Sequence, residues 1–142
     1  MAKIWFDDAL DLNSLTENGG DCMPGYVGIR FIDYGDDWIK ASMPVNERTK
    51  QPYGRLHGGA SVALAETLGS LASYMMIDPE TQICVGTSIQ ANHIRPGTSG
   101  FAHGKASLIH KGRTTHIWNI DITNDEGKML CACRLTMAIL PK

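Results

Sequence analysis

Between His57 and Ile77 the chain carries no Lys, Arg or Asp, and Glu66 is its only charged residue. On a helix the surface neighbours of Glu66 would be Val62, Ala63, Gly69 and Ser70, so it does not sit on a solvated polar face. A carboxylate held among apolar groups is costly unless partnered, and its ionisation answers to its surroundings. Those are the properties of a nucleophile or general base. The structural alternative is a glutamate at a subunit edge, satisfied by the Ser70 hydroxyl one turn on.

His57-Gly58-Gly59 opens the same stretch. The first turn of a helix presents unpaired N–H groups at the positive end of its dipole, and glycine lets a ligand come close. Such a terminus suits a carbonyl oxygen that becomes an oxyanion. Plain helix initiation, with His57 as a local cap, is the other reading. Gln51, six residues upstream of His57, is a second candidate donor. Glu66 lies eight residues beyond Gly58, about 12 Å along one helix. A carbonyl held at Gly58 is therefore out of reach of Glu66 in the same chain, and a single reaction using both needs a second, two-fold-related subunit.

Local positive charge occurs at His93 and Arg95 before Pro96, and in the segment His110-Lys111-Gly112-Arg113-Thr114-Thr115. A basic turn with glycine and hydroxyls suits a phosphate or pyrophosphate, and a solvated hairpin turn fits the same pattern. Cys131 and Cys133 form a C-x-C in an apolar run. On a strand their backbones would stand about 6.5–7 Å apart, too far for an easy disulfide, and no Cys/His cluster adds metal ligands at useful spacing. Core packing is the expectation for this pair, with no metal. No GxGxxG, Walker A, GxSxG or HExxH motif appears, which leaves nucleotide-redox, NTPase, serine-hydrolase and zincin chemistries without support.

The elements that must position these groups follow from pattern. Residues 1–25 are loosely patterned and read as an arm or short helix. Residues 26–34 and 38–43 are β-like around Gly35-Asp36-Asp37, and residues 44–56 form a loop. Residues 58–77 have helical composition with small or apolar groups on every face, the pattern of a buried helix. Its length would reach across a bilayer, but Glu66 at mid-span and the missing basic flank argue against a membrane segment. Residues 82–95, 100–110, 114–123 and 128–140 read as strands, the last two joined by Asn124-Asp125-Glu126-Gly127. One buried helix beside an antiparallel sheet that curls around it gives an α+β domain spanning 1–142.

With 142 residues, 43% hydrophobic and 20% charged, the chain suits one folded core. Thirteen Lys and Arg against fifteen Asp and Glu give a net charge of −2, which offers no broad basic surface for nucleic acid. The amino terminus lacks a basic stretch followed by an apolar run, so a cytoplasmic protein with reduced cysteines is expected.

The stretch from Arg48 to Ser61, reading R-T-K-Q-P-Y-G-R-L-H-G-G-A-S, followed by Leu64-Ala65-Glu66-Thr67-Leu68-Gly69-Ser70, resembles the hotdog-fold acyl-CoA thioesterases. Within them it is similar to the branch of the Arthrobacter-type 4-hydroxybenzoyl-CoA thioesterase. Asn92-His93 and Cys133-Arg134-Leu135-Thr136 fit the same pattern, and the resemblance runs from about Gly25 to Leu140. It implies one long helix wrapped by a six-stranded antiparallel sheet, and a homo-oligomer of dimers, or of dimers paired into a tetramer, with each site shared between subunits. Glu66 would be nucleophile or general base. The Gly58 N–H would polarise the thioester carbonyl with Gln51 and His57 in support, and Ser70 would position the carboxylate or the water. Gly86, His93, Arg95 and the turn His110, Lys111, Gly112, Arg113, Thr114, Thr115 would contact coenzyme A, which belongs to the substrate; no separate cofactor is implied. The turn departs from the family's Gly-Ser-Arg pattern by reading Gly112-Arg113-Thr114, which leaves open which residue meets which phosphate.

The reading that results is hydrolysis of aryl or medium-chain acyl-CoA, with Leu71, Tyr74 and Met75 placed by helical spacing to shape the acyl pocket. Two others stand beside it. A hotdog hydratase or dehydratase on 3-hydroxyacyl thioesters would cast His57 in an acid–base pair. A non-catalytic acyl-CoA binding module would keep the basic turn but have no use for Glu66.

Overall fold

The structure, a computed structural model, describes residues 2–142. Its elements follow in the order α1 Leu12–Asn18, α2 Met23–Tyr26, β1 Arg30–Tyr34, β2 Trp38–Pro44, α3 Gly58–Tyr74, β3 Gln82–His93, β4 Phe101–Lys111, β5 Thr115–Thr123 and β6 Met129–Pro141. The six strands form one sheet in the order β1-β2-β4-β5-β6-β3, every neighbouring pair antiparallel.

Period-two burial decides which side of the sheet faces α3. In β5, His116, Trp118, Ile120 and Ile122 are buried while the residues between them are half-exposed. The helix answers with a stripe at i, i+3, i+4 spacing: Ser61, Leu64, Ala65, Leu68, Gly69, Ala72 and Ser73 are all buried. Gly69 makes the contact close, since a Cβ there would overlap the Leu135 side chain and stand 3.1 Å from Ile120. The opposite face, including Glu66, Thr67, Ser70 and Leu71, is only half-buried. The helix stops at Tyr74, three residues short of the expected Ile77. The Met76 N–H turns to the Ser73 carbonyl in a tighter i→i−3 bond, and Asp78 precedes Pro79, a position that disfavours helix.

The expected strand over 26–34 is shorter than its pattern. Pro24 initiates α2, Gly28 takes a left-handed φ of 82° that turns the chain, and β1 begins only at Arg30. The residues ahead of it are tied down. Trp5 Nε1 donates to the Gly35 carbonyl at 2.7 Å, the Phe6 N–H to the Met75 carbonyl at 2.8 Å, and the Phe31 N–H to Thr16 Oγ1 at 2.9 Å. The last bond puts α1 alongside the edge strand β1. At the other edge, β3 pairs only with β6 among the described residues, and Ile83 and Val85 on it are exposed.

Cys131 and Cys133 are both buried, free, and lie with their sulfurs 3.5 Å apart. Burial raises the Cys131 thiol pKa and pushes that of Cys133 up to about 12. Among the described residues no group of three or more His, Cys, Asp or Glu could hold a metal ion, and no helix is long and apolar enough to cross a membrane.

Candidate active site

Glu66 projects from the outward face of α3 toward β3. Ser70, one turn on, donates its hydroxyl to Glu66 Oε2 at 3.2 Å, and the same Ser70 Oγ lies 3.6 Å from Met137 Sδ. Across from it β3 carries an irregularity between Gly86 and Ser88. Gly86 packs so close that a Cβ there would overlap Glu66 Oε2. A register shift in an antiparallel pair re-aims backbone locally, and here it brings bare Cα surface against a carboxylate.

A cavity of about 470 Å³ opens beside Glu66, lined by Ser70, Leu71 and Tyr74 of α3, Leu15 of α1, Phe31 of β1 and Cys84 of β3. Leu71 and Tyr74 stand where helical spacing put them. Met75 does not line it. The wall supplied by α1, α2 and β1 was not foreseen from sequence, because the patterning of the first two dozen residues is weak and their packing partner is remote in the chain.

The start of α3 is a second cluster. His57 caps it: Nδ1 accepts the Gly59 N–H at 2.8 Å, while Ala60 and Ser61 donate to the His57 carbonyl. Nδ1 as acceptor leaves Nε2 as the protonated nitrogen of a neutral ring. The Gly58 N–H has no partner among the described residues. The ring of His93 lies over Gly58, where a Cβ would stand 3.0 Å from Cε1 and Nε2, and both line a cavity of about 420 Å³ with Ser61 and Arg95. Arg95 is held to the backbone by Nη1 donating to the Met129 carbonyl at 3.0 Å. Gln51 sits in a tight loop whose ends, Lys50 and Leu56, are bridged. Its side-chain oxygen accepts the Tyr53 N–H, so the amide NH2 is the end left to donate outward.

The basic turn lies elsewhere. The Gly112 N–H closes on the Thr115 carbonyl at 2.8 Å, Thr114 accepts from Ile139, and His110, Lys111, Arg113 and Thr114 are exposed. Lys111, Gly112 and Arg113 share a depression with Met76, Ile77 and Asp78, at the C-terminal end of α3. The seventeen residues of α3, about 25 Å, thus separate this turn from His93 and Arg95 within one chain. Glu66, Ser70 and Gly86 are brought together, Gly58, His57 and His93 are brought together, and the 110–115 turn joins neither group.

Below the turn, His116 is buried with its Nδ1 2.9 Å from Ser73 Oγ, which also accepts from Trp118 Nε1 at 2.7 Å. Burial, with the charges of Lys111 and His110, lowers the His116 pKa to about 4.

Comparison with known proteins agrees with this architecture. Residues 53–131 match the thioesterase superfamily. The chain is 44% identical to the 1,4-dihydroxy-2-naphthoyl-CoA hydrolase of Escherichia coli K12 over 92% of its length and 96% of that protein. It superposes on the crystal structure of a thioesterase from Pseudomonas aeruginosa, solved with a glutamine changed to alanine, with a TM-score of 0.96 and 46% identity, covering 99% of this chain and 100% of that one. Two structures of one thioesterase from Staphylococcus aureus, 39% identical, give TM-scores of 0.82 and 0.81 over 84% of this chain and 99% and 98% of theirs. They carry alanine in place of a glutamate and of a glutamine fifteen residues before it. With one helix wrapped by a six-stranded antiparallel sheet, and with relatives matched along nearly its whole length, the chain belongs to the thioesterase superfamily, as a thioester hydrolase of the hotdog fold.

Proposed function

We propose that the protein hydrolyses aryl or medium-chain acyl-CoA thioesters to the free acid and coenzyme A, with Glu66 as the reacting carboxylate. The observation that carries this reading is the setting of Glu66: hydrogen-bonded by Ser70, pressed against Gly86, and open to a largely apolar cavity. Glu66 acts in one of two ways. It attacks the carbonyl carbon to give a mixed anhydride that water then cleaves, or it takes a proton from a water that attacks directly. By either route the C–S bond breaks, the thiolate leaves and gains a proton, and the carboxylate is regenerated. Ser70 orients the carboxylate or the water. The unpaired Gly58 N–H polarises the carbonyl, with the Gln51 amide and His57 in support. The interval between Gln51 and Glu66 equals that between the two residues changed in the Staphylococcus aureus structures, which supports pairing their roles. The name of the Escherichia coli relative supports a fused aromatic acyl group among the substrates.

The site is shared between two copies of the chain. Gly58 and Glu66 of one helix are about 12 Å apart, too far for one carbonyl. The unpaired edge of β3 offers the surface along which a two-fold mate would bring the Gly58 end of its helix to Glu66. In that arrangement Gly86, His93 and Arg95 contact coenzyme A together with the turn from His110 through Lys111, Gly112, Arg113 and Thr114 to Thr115, and the dimers pair further into a tetramer. The reaction uses no cofactor beyond the coenzyme carried by the substrate.

The test is release of free thiol from benzoyl-CoA, hexanoyl-CoA and a 3-hydroxyacyl-CoA by wild type and Glu66→Ala. Hydrolysis lost in the variant supports the proposal. Equal rates in both proteins overturn the role of Glu66, and binding without hydrolysis overturns the assignment in favour of a hydratase or a binding module.

A further inference from the structure

The amino-terminal segment supplies no candidate catalytic residue, yet it is held to the rest of the chain by buried Trp5, Leu10 and Leu15 and by four hydrogen bonds shared with distant backbone. Its anchoring has a geometric result. Leu15, Gly19 and Pro24, with Ile29 and Phe31 at and just before β1, form the far wall of the cavity whose near wall is α3. Glu66 and Ser70 stand at one side of that space, so a group bonded to the carbon that Glu66 attacks, or whose water it activates, extends toward Leu15. Thr16 adds no free hydroxyl to the wall, because Oγ1 donates to the Leu12 carbonyl at 3.1 Å and accepts from the Phe31 N–H. Apart from Asn18 at the exposed rim, the wall therefore offers shape and apolar surface.

Resting on the hydrolase reading above, we infer that α1 and α2 are the specificity wall of the acyl pocket. They select thioesters of long or fused-ring apolar acyl groups over short ones, in the same chain that supplies Glu66. The size fits that class. A space of about 470 Å³ lies within the range of pockets that enclose drug-sized ligands, and a short acyl group would leave most of it unfilled. An acyl group that fills it removes the facing apolar surfaces of Leu15, Phe31 and Leu71 from water.

The experiment is kcat/KM for butanoyl-, decanoyl- and naphthoyl-CoA in wild type, Leu15→Phe, Asn18→Trp, Tyr74→Ala and Glu17→Ala. Leu15→Phe fills the cavity from its buried wall. Asn18→Trp narrows it from an exposed rim position and guards against a folding defect at Leu15. The decanoyl-to-butanoyl ratio is expected to fall on the order of tenfold in both, chiefly through KM. Tyr74→Ala, at a residue 46% exposed, widens the cavity and shifts the ratio toward the larger acyl groups. Glu17→Ala, on the outer side of α1, leaves the ratio where it was. A wild type that hydrolyses acyl-CoA while every variant keeps the same ratio overturns the inference and leaves the hydrolase reading standing. A wild type that hydrolyses none of the thioesters overturns both.

Discussion

Glu66 and Gly86 meet with no room for a methyl group between them: the carboxylate oxygen that accepts from Ser70 is the atom a Gly86 Cβ would strike. The β3 irregularity is thus a steric partner of the candidate catalytic group. Gly86→Ala should leave the fold intact, since the site is half open to solvent, and should lower kcat on the order of 100-fold by displacing the carboxylate. Circular dichroism and steady-state kinetics on the purified variant check both parts. Wild-type kcat would show that the carboxylate is free to move without cost.

Truncation at Glu66 itself is expected to cost more. Glu66→Ala should fold and assemble as wild type while turnover falls at least about a thousandfold, the scale of losing an acid–base or nucleophilic group. Glu66→Asp draws the carboxylate back by one C–C bond and should lose much of the rate as well. A fully active Glu66→Asp would contradict the demand for close positioning.

Ser70→Ala removes the 3.2 Å hydrogen bond to Glu66 Oε2. A hydrogen bond to a carboxylate is worth about 1.5–3 kcal/mol, so kcat should drop roughly 10- to 100-fold with KM for the thioester nearly unchanged. A change confined to KM would instead make Ser70 a substrate contact.

Much of this arrangement is legible from residue types. The run around Glu66 announces a buried helix because it holds no other charged residue and small or apolar groups lie on every face. Asn124 to Gly127 announces a hairpin turn because Asn124 Oδ1 can accept from the Glu126 and Lys128 N–H groups and Gly127 can take its left-handed φ. What pattern does not carry is long-range pairing. Nothing local in β3 says that it docks on β6 at an edge rather than beside its sequence neighbour β4. Weak periodicity in residues 10–26 likewise hides that they wall a cavity, because their apolar residues pack against β1 and α3 rather than among themselves.

If the 110–115 turn recognises the coenzyme as proposed, removing its charge is expected to separate that recognition from chemistry. Lys111→Ala with Arg113→Ala should raise KM for benzoyl-CoA about tenfold or more through lost charge-assisted contacts to phosphate. The same variant should treat the benzoyl thioester of N-acetylcysteamine, which lacks phosphate, as wild type does. Equal KM increases for the two substrates would remove the turn from phosphate binding.

His116 gives the fold an acid-sensitive point. Trp118 Nε1 donates to Ser73 Oγ, and Ser73 Oγ and His116 Nδ1 share a 2.9 Å hydrogen bond in the buried interior, where a charged ring is costly. The folded protein holds this ring neutral down to about pH 4, whereas the unfolded chain protonates it near 6.5. Below 6.5 the unfolded state therefore binds more protons, and stability falls as pH drops from about 6.5 to 4, by about 3 kcal/mol for this group. Denaturant midpoints across that range should show the loss, and His116→Gln should flatten it.

The anchored arm has one consequence for how such a protein can diverge. It shapes a cavity and lends no atom to bond-making, so substitutions at residues 15–31 can retune what enters without touching the segment from His57 to Ser70. On the proposed reading, selectivity on this wall and reactivity at Glu66 are carried by separate stretches of the chain, free to change at different tempos.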